Sequence, residues 1–500
     1  MILRQVKFIL LLLPFLIHSQ EYVTGKITDE NNTPLINTSV HWMNTNMGTI
    51  TNNQGLFKIK NLDTVEKKLI ISFIGYQNDT IIINDIYDIG AISLKPINSL
   101  KTIDLKENKT GTYIDKNNAI KTEIITKEEL TKAACCDLAG CFETQISVES
   151  KTTNIITNTK ELSVLGLSGT YNQILLDGLP IIYGATYTYG VSAIPGTLIE
   201  NIYISQGLAS VLQGTESISG QINIQLKEYQ ESEKFFINLY ANSFNAKQIN
   251  IDYNYKVNKW KNILSFHSSQ PAKIIDHNND NFLDLPQTTK YSIYNKWTYG
   301  LENNDGIYSS ITFRYLDEER IGGEIDFNPK ENLGDTINYG QKITFQQPEL
   351  HLRSSYNFNN NAILLHSALT QHKQKSFFGT TKYLVDQINY YFKLGYSTQW
   401  NNHRLESGFS FKSLIIDERI ELNNNFNHTY GGEYSKNEKI PGLFIENTFK
   451  WQENIELITG FRLDNHNIHG WMHTPRMLLK YNFSENTIGR LSCGSGWKTI

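Results

Sequence analysis

Three groups of side chains have types and spacings that could do chemistry. His466, His469 and His473 fall within eight residues of one another. Imidazoles at such spacing suit a soft or borderline metal, or haem iron, and otherwise lie solvated on a loop. Asp276, Asn278, Asp280 and Asp284 occupy positions 1, 3, 5 and 9 of a calcium-type loop, with the Phe282 carbonyl at 7. Alternating hard oxygens can wrap Ca²⁺. Position 6 is Asn281 rather than Gly and position 12 is Gln287 rather than Glu. Asn tolerates the left-handed turn that Gly normally supplies. Ca²⁺ held in an outer loop is thus one reading, beside the plainer one of a solvated loop. Cys135, Cys136 and Cys141 form the third group, with Cys493 far away. In an exported chain a disulfide is the default, and soft-metal binding the sharper alternative. Adjacent cysteines bridge each other only with strain, so Cys141 is the easier partner for either.

Catalysis has no comparable support, and the chain reads as a non-enzyme. It has no G-x-S-x-G elbow, no H-E-x-x-H and no phosphate loop. Ser168, within Gly166–Gly169, has no patterned His or Asp partner. The net charge of −4 gives no broad basic face, so no nucleic-acid partner is expected. Mean hydropathy is −0.37, and no segment after the N-terminus offers ~18 consecutive apolar residues. Any membrane crossing therefore has to be made by half-apolar strands, which this hydropathy allows.

The elements that would position these groups follow in order. Residues 1–20 read as a secretory signal: Arg4 and Lys7, then the apolar run Phe8–Ile17, with cleavage near Ser19–Glu21. No Cys lies at the cleavage point, so no lipid anchor is expected. Residues 21–95 show short alternating strands with polar turns, including a hairpin around Asn52–Gly55, and predict a small Greek-key sandwich. Residues 96–118 are a charged linker whose one alternating run is Leu100–Leu105. Then comes a strand at Lys121–Thr126 and a capping box from Thr126 to Glu129, opening a short helix.

From Glu161 to Lys227 the runs Leu162–Leu165, Asn172–Leu176, Ile199–Ser205 and Gly220–Leu226 read as strands. Asp177-Gly178 is a turn, and Gly207–Leu212 a short helical piece stopping at Gly214. From Glu231 the texture changes to roughly a dozen alternating strands of about 9–11 residues, the length of tilted membrane strands. Short turns alternate with long polar loops, at 270–290, 316–346 and 417–439. That asymmetry is the pattern of an outer-membrane barrel with its long loops outside the cell.

Three blocks in order carry a resemblance: Val164–Gly166, Leu175–Pro180 and Ile194–Ile224. They resemble the plug of TonB-dependent outer-membrane receptors, and residues 21–95 resemble the carboxypeptidase-regulatory-like domain that precedes it in Bacteroidetes. The fold class expected is all-β dominated: β-sandwich, α+β plug over residues 119–228, then an antiparallel transmembrane β-barrel from 229. Such barrels have 22 strands, so the chain is expected to hold the first half. The resemblance implies that TonB grasps the linker by strand addition, with Leu100, Ile103 and Leu105 as the Ton box, the alternative being a plain tether. It also places Tyr171, Tyr183, Tyr187 and Tyr189 on plug loops facing the lumen, where phenols would suit a bulky planar or chelated ligand or pack on the wall. Adjacent cysteines before Asp137-Leu138 fit one subgroup of these plugs. The implied function is uptake of a scarce nutrient such as a ferric siderophore, haem, cobalamin or another metal chelate. A signalling or adhesion receptor and a glycan porin of the same fold are the alternatives.

Overall fold

The computed structural model describes residues 22–499, except 30–31, 44, 46, 63–66, 74–75, 77, 84–87, 96–110, 117, 133–136, 144, 231–232, 301–304, 423–430, 453 and 485–486. The signal segment, the Ton-box residues Leu100, Ile103 and Leu105, and both Cys135 and Cys136 lie outside the described residues. Two compact units divide at residue 99.

The first unit is a sandwich of seven strands: β1 (Tyr22–Thr28), β2 (Ser39–Trp42), β3 (Gly48–Ile50), β4 (Leu56–Lys60), β5 (Lys68–Ser72), β6 (Asp79–Ile82) and β7 (Asp88–Ser93). One sheet runs β4-β1-β7 and the other β3-β2-β5-β6. Alternation puts Val23, Ile27, Val40, Trp42, Phe57, Leu69 and Ile71 between them. The buried Trp42 indole donates to the Lys60 carbonyl at 2.9 Å. The turn at Asn52–Gly55 exists, with Gly55 at φ 74°, but it is not a hairpin. β3 pairs with β2 and β4 with β1, so the turn carries the chain from one sheet to the other. Local turn chemistry was readable; which sheet receives the next strand is a long-range choice.

The second unit holds the plug and the large sheet. Plug strands are β8 (Thr112–Ile114), β9 (Thr122–Thr126), β10 (Val148–Asn154), β11 (Thr159–Val164), β12 (Asn172–Leu176), β13 (Ile199–Gln206) and β14 (Gly220–Leu226), with helices α1 (Lys127–Lys132) and α2 (Thr186–Gly190). Five form a mixed sheet, β12-β14-β13-β9-β8, and β10-β11 is a separate hairpin. The Asp177-Gly178 turn has both φ angles positive, at 50° and 78°. Two local expectations are corrected. The helical piece is one 3-10 turn, Val211–Gln213, because Ser210 caps Leu212 and Gly214 stops it at φ 117°. Thr126 meets Glu128 rather than Glu129, which pairs with Lys132.

The large sheet has thirteen strands in sequence order. They are β15 (Phe235–Ala241), β16 (Lys247–Val257), β17 (Trp260–Gln270), β18 (Gln287–Tyr299), β19 (Gly306–Gly323), β20 (Gly340–Phe358), β21 (Asn361–Phe378), β22 (Thr381–Trp400), β23 (His403–Leu422), β24 (Gly432–Trp451), β25 (Ile455–His466), β26 (Gly470–Ser484) and β27 (Thr487–Gly494). The sheet does not close: β15 and β27 each have one neighbour among the described residues. Strands run from 7 to 20 residues, longer than expected, and β18, β19, β20, β23 and β24 continue into the stretches read as polar loops. There the outward faces carry cross-strand pairs instead of apolar residues, such as Lys342–Glu319 and Lys382–Glu421. Lower down, Leu264, Ile293, Ile311, Leu394, Phe409, Leu443 and Phe461 form the exposed outward band. Tyr299, Tyr356, Trp400, Trp451 and Phe483 ring the short-turn end, as an aromatic girdle does.

Candidate functional site: the plug and its wall

The plug sits on the inward face of the large sheet. A buried apolar cluster joins plug residues Ile174, Leu176, Ile202 and Ile222 to wall residues Ile263, Tyr294, Ala368 and Tyr391. Many other contacts are polar. Wall donors aim at plug carbonyls: Lys290 at Ser192 (2.5 Å), Arg320 at Thr157 (3.3 Å), and Arg476 at Ala209 (2.8 Å), Ser210 (3.2 Å), Thr215 (2.9 Å) and Ser217 (3.4 Å). The Gln387 amide grips α2's entry from both sides, donating to the Tyr183 carbonyl (2.9 Å) and accepting from Ala185 N–H (2.7 Å). At the base, Lys227 pairs with Asp252 (2.7 Å), and Lys296 with Asp177 (3.3 Å) and Glu228 (2.6 Å). Apart from the half-exposed Glu228, these charges are almost fully buried, so each needs its partner.

One cross-strand row explains the Gly207–Gly214 motif. Glu446, Gly460 and Arg476 are register partners on β24, β25 and β26. Glu446 accepts from the Ser210 hydroxyl (2.7 Å) and Val211 N–H (3.1 Å). Gly460 leaves the notch for Val211: a Cβ there would lie 2.7 Å from Val211 Cγ2. None of these wall residues was singled out in the sequence, although charged residues at inward parity within long strands were a usable signal.

The four tyrosines part company. Tyr183 and Tyr189 are buried against the wall. Tyr183 packs with Val385, Leu414 and Ile416, under the Lys412 ammonium at 3.8 Å. Tyr189 stacks on Phe345 at 5.4 Å, with Arg320 at 5.3 Å. Burial raises both phenols, Tyr189 to about 12. Tyr187 packs inside the plug, its buried hydroxyl lacking a hydrogen-bond partner among the described residues. Only Tyr171 is exposed, so the four do not form one luminal surface. Beside Tyr183, Glu216 pairs with Lys412. Burial raises the Glu216 pKa, but Lys412, Lys498 and Arg462 overcome that and hold the carboxylate below its usual range.

The histidines are also separated. His466 faces inward, near Glu438 (3.5 Å), and its ring lies 4.7 Å from that of His469. His473 faces outward from β26, beside Phe461. Strand parity forbids three ligands on one metal here. In the calcium-type loop the carboxylates serve the loop's own amides. Asp276 accepts from Asn281 N–H (2.9 Å), Asp280 from Phe282 N–H (2.8 Å), and Asp284 from His277 N–H (3.0 Å) and its ring, which lowers the Asp284 pKa. Asn281 does take the left-handed turn, at φ 73°. Among the described residues no group of three His, Cys, Asp or Glu is placed to hold a metal. Cys141 is buried, its sulfur 3.3 Å from the Asp137 carbonyl. A polar cavity of about 330 Å³ remains between plug and wall, lined by Asp137, Lys160, Tyr240, Gln248, Thr288 and Lys290 among others.

Comparison with known proteins agrees with this architecture. The sequence matches the CarboxypepD_reg-like domain over residues 23–108, the TonB-dependent receptor plug domain over 115–221 and the TonB-dependent receptor-like β-barrel over 222–499. No curated protein sequence matches the chain. Among solved structures it resembles the alcaligin outer-membrane receptor FauA of Bordetella pertussis, at TM-score 0.60 and 13% identity, covering 75% of this chain and 62% of that one. FpvA of Pseudomonas aeruginosa, solved with a ferric pyoverdine, gives TM-score 0.61 and 13% identity, with 80% and 61% covered. The copper transporter OprC gives 0.60 and 13%, with 77% and 64% covered. The chain thus spans a little over three fifths of the length of these structures. With an inward plug clamped by a thirteen-stranded wall and a barrel match over more than half its length, the chain belongs to the TonB-dependent receptor family.

Proposed function

We propose that this protein is a TonB-dependent transporter of the outer membrane that imports a scarce metal chelate. The observation that carries the reading is the chemistry of the plug's seat. Beside its apolar contacts, the plug is held by many hydrogen bonds and ion pairs to wall side chains. Water can replace a neutral hydrogen-bond partner at a net cost of roughly 1 kcal/mol, and the few buried ion pairs, which cost more to part, can re-form when the plug returns. A plug held this way can shift within a wet lumen and be reseated. The barrel holds no energy source, so the work has to arrive from TonB through the linker, with Leu100, Ile103 and Leu105 adding as a strand to TonB's sheet. Related structures are receptors for alcaligin and ferric pyoverdine and a transporter for copper, which supports a chelated or soft metal as cargo. This is transport rather than catalysis.

The test is growth of a deletion strain on separate sources of iron, haem, copper and cobalamin, with and without functional TonB. A growth defect on one source, reproduced by TonB loss and reversed by the plasmid-borne gene, is expected. Undiminished growth on every source would overturn the reading.

A further inference from the structure

The described plug begins with a hairpin at the edge of its sheet. β8 pairs with β9 through only three residues, Thr112–Ile125, Tyr113–Ile124 and Ile114–Glu123. Among the described residues β8 has no other sheet neighbour, and the chain N-terminal to it is the linker. In the turn that joins the two strands, Asp115, Asn118, Ala119 and Ile120 are docked to the inward wall by two independent contacts. Ala119 is buried with Ile458 of β25 and Leu478 of β26, with Ile120 packed against them. Arg490 of β27 donates to the Asp115 carbonyl at 2.8 Å and, through Nε and Nη2, to the Asn118 carbonyl at 3.3 Å. Arg490 sits opposite Lys480 near the short-turn end of the sheet.

A pull on the linker acts at Gly111, the open end of this hairpin. Gly111 and Thr126 lie side by side there, joined by Thr126 N–H to the Gly111 carbonyl at 3.3 Å. Force at that point loads the ladder one rung at a time, so β8 peels easily. The next load falls on the turn, and the turn is bonded to the barrel. β9, which is paired along its length with β13, lies behind it.

We propose that Arg490 and the Ala119 contact form a wall catch. It holds the hairpin turn until TonB pulls, so that the plug's main sheet is loaded only after the catch lets go. Arg490 is a positioning residue in this scheme. It touches no cargo and acts through the turn. The proposal rests on the transport reading above, because the pull comes from TonB.

The test needs no cargo. Ala119→Cys places a thiol at a position that is 3% exposed in the docked turn. Fluorescein maleimide added to whole cells reports its release, against the same receptor carrying only its natural cysteines. With Arg490 intact, labelling at 119 is expected to be slow in cells lacking TonB and faster in cells with it. Adding Arg490→Gln should raise the TonB-free rate by roughly tenfold, the effect of losing charge-assisted bonds worth about 1.4 kcal/mol. Arg490→Lys, which keeps the charge but not the fork, should fall between. A control thiol at buried Ala193, in the clamped part of the plug, should stay slow in the Arg490→Gln receptor without TonB. Equal labelling at 119 in the Arg490 receptor and its Arg490→Gln variant would overturn the catch. So would equal acceleration at 193, which would show a generally loosened plug. If Arg490→Gln accelerates labelling at 119 but TonB makes no difference in either receptor, the catch stands and the TonB reading fails.

Discussion

At the scale of single residues, the wall clamp gives sharp expectations. Gly460→Ala should unseat Val211 from its notch, since the added Cβ would approach within 2.7 Å of a branched, buried side chain. Overpacking of that kind costs about 1–3 kcal/mol. Calorimetry on the purified receptor should show the plug transition lowered while the barrel transition stays in place. Glu216→Gln removes a mostly covered partner of Lys412, which should destabilise the plug by about 1–3 kcal/mol at neutral pH. The sign of the pH effect follows from the depressed folded pKa. The carboxylate's contribution is complete above the unfolded value of 4.5 and is lost as pH falls through the folded value. The gap between parent and variant plug transitions should therefore be widest at pH 7 and shrink in acid. A gap that grew in acid would contradict the pairing.

At the scale of elements, the plug's secondary structure was largely legible and its orientation was not. Asn172–Leu176 and Gly220–Leu226 were bounded correctly, because Gly, Asp and Pro punctuate short β-branched runs. Nothing local says that these two strands lie side by side in parallel, or that α2 would turn Tyr183 and Tyr189 into the wall. The linker is the element whose role is most directly testable. Deleting Leu100–Leu105 should abolish energised uptake of whichever source the growth panel identifies, while equilibrium binding to whole cells persists. Loss of binding as well would mean that the segment supports the fold rather than the pull.

At the scale of the whole molecule, two faces of one sheet obey opposite rules. Outward residues form an exposed apolar band, and inward ones meet the plug. Leu394→Arg, on the outward face of β22, should cost about 2–4 kcal/mol if it lies near the bilayer midplane. Heat-modifiable mobility on gels should show less folded barrel in the outer membrane. The neighbouring Lys393 is accommodated, because it points inward to Glu406 at 3.0 Å. One step along the strand separates a destructive charge from a structural one.

That parity is also where sequence and tertiary structure divide the work. The sequence by itself determined the strand alternation, the turn positions, the plug blocks and their order, since each depends on residues a few positions apart. It could also exclude broad basic surfaces and helical spans. Three features were decided by tertiary structure alone. The strands β19–β24 run on beyond the apolar band, where cross-strand ion pairs support them, and a pair is invisible until register is known. His466 and His473 face opposite sides because an odd number of steps along the β25–β26 hairpin separates them in parity. The plug's fastening by Gln387, Glu446, Arg476 and Arg490 joins residues more than two hundred positions apart, and only the curling of the wall around the plug brings such partners within hydrogen-bonding reach.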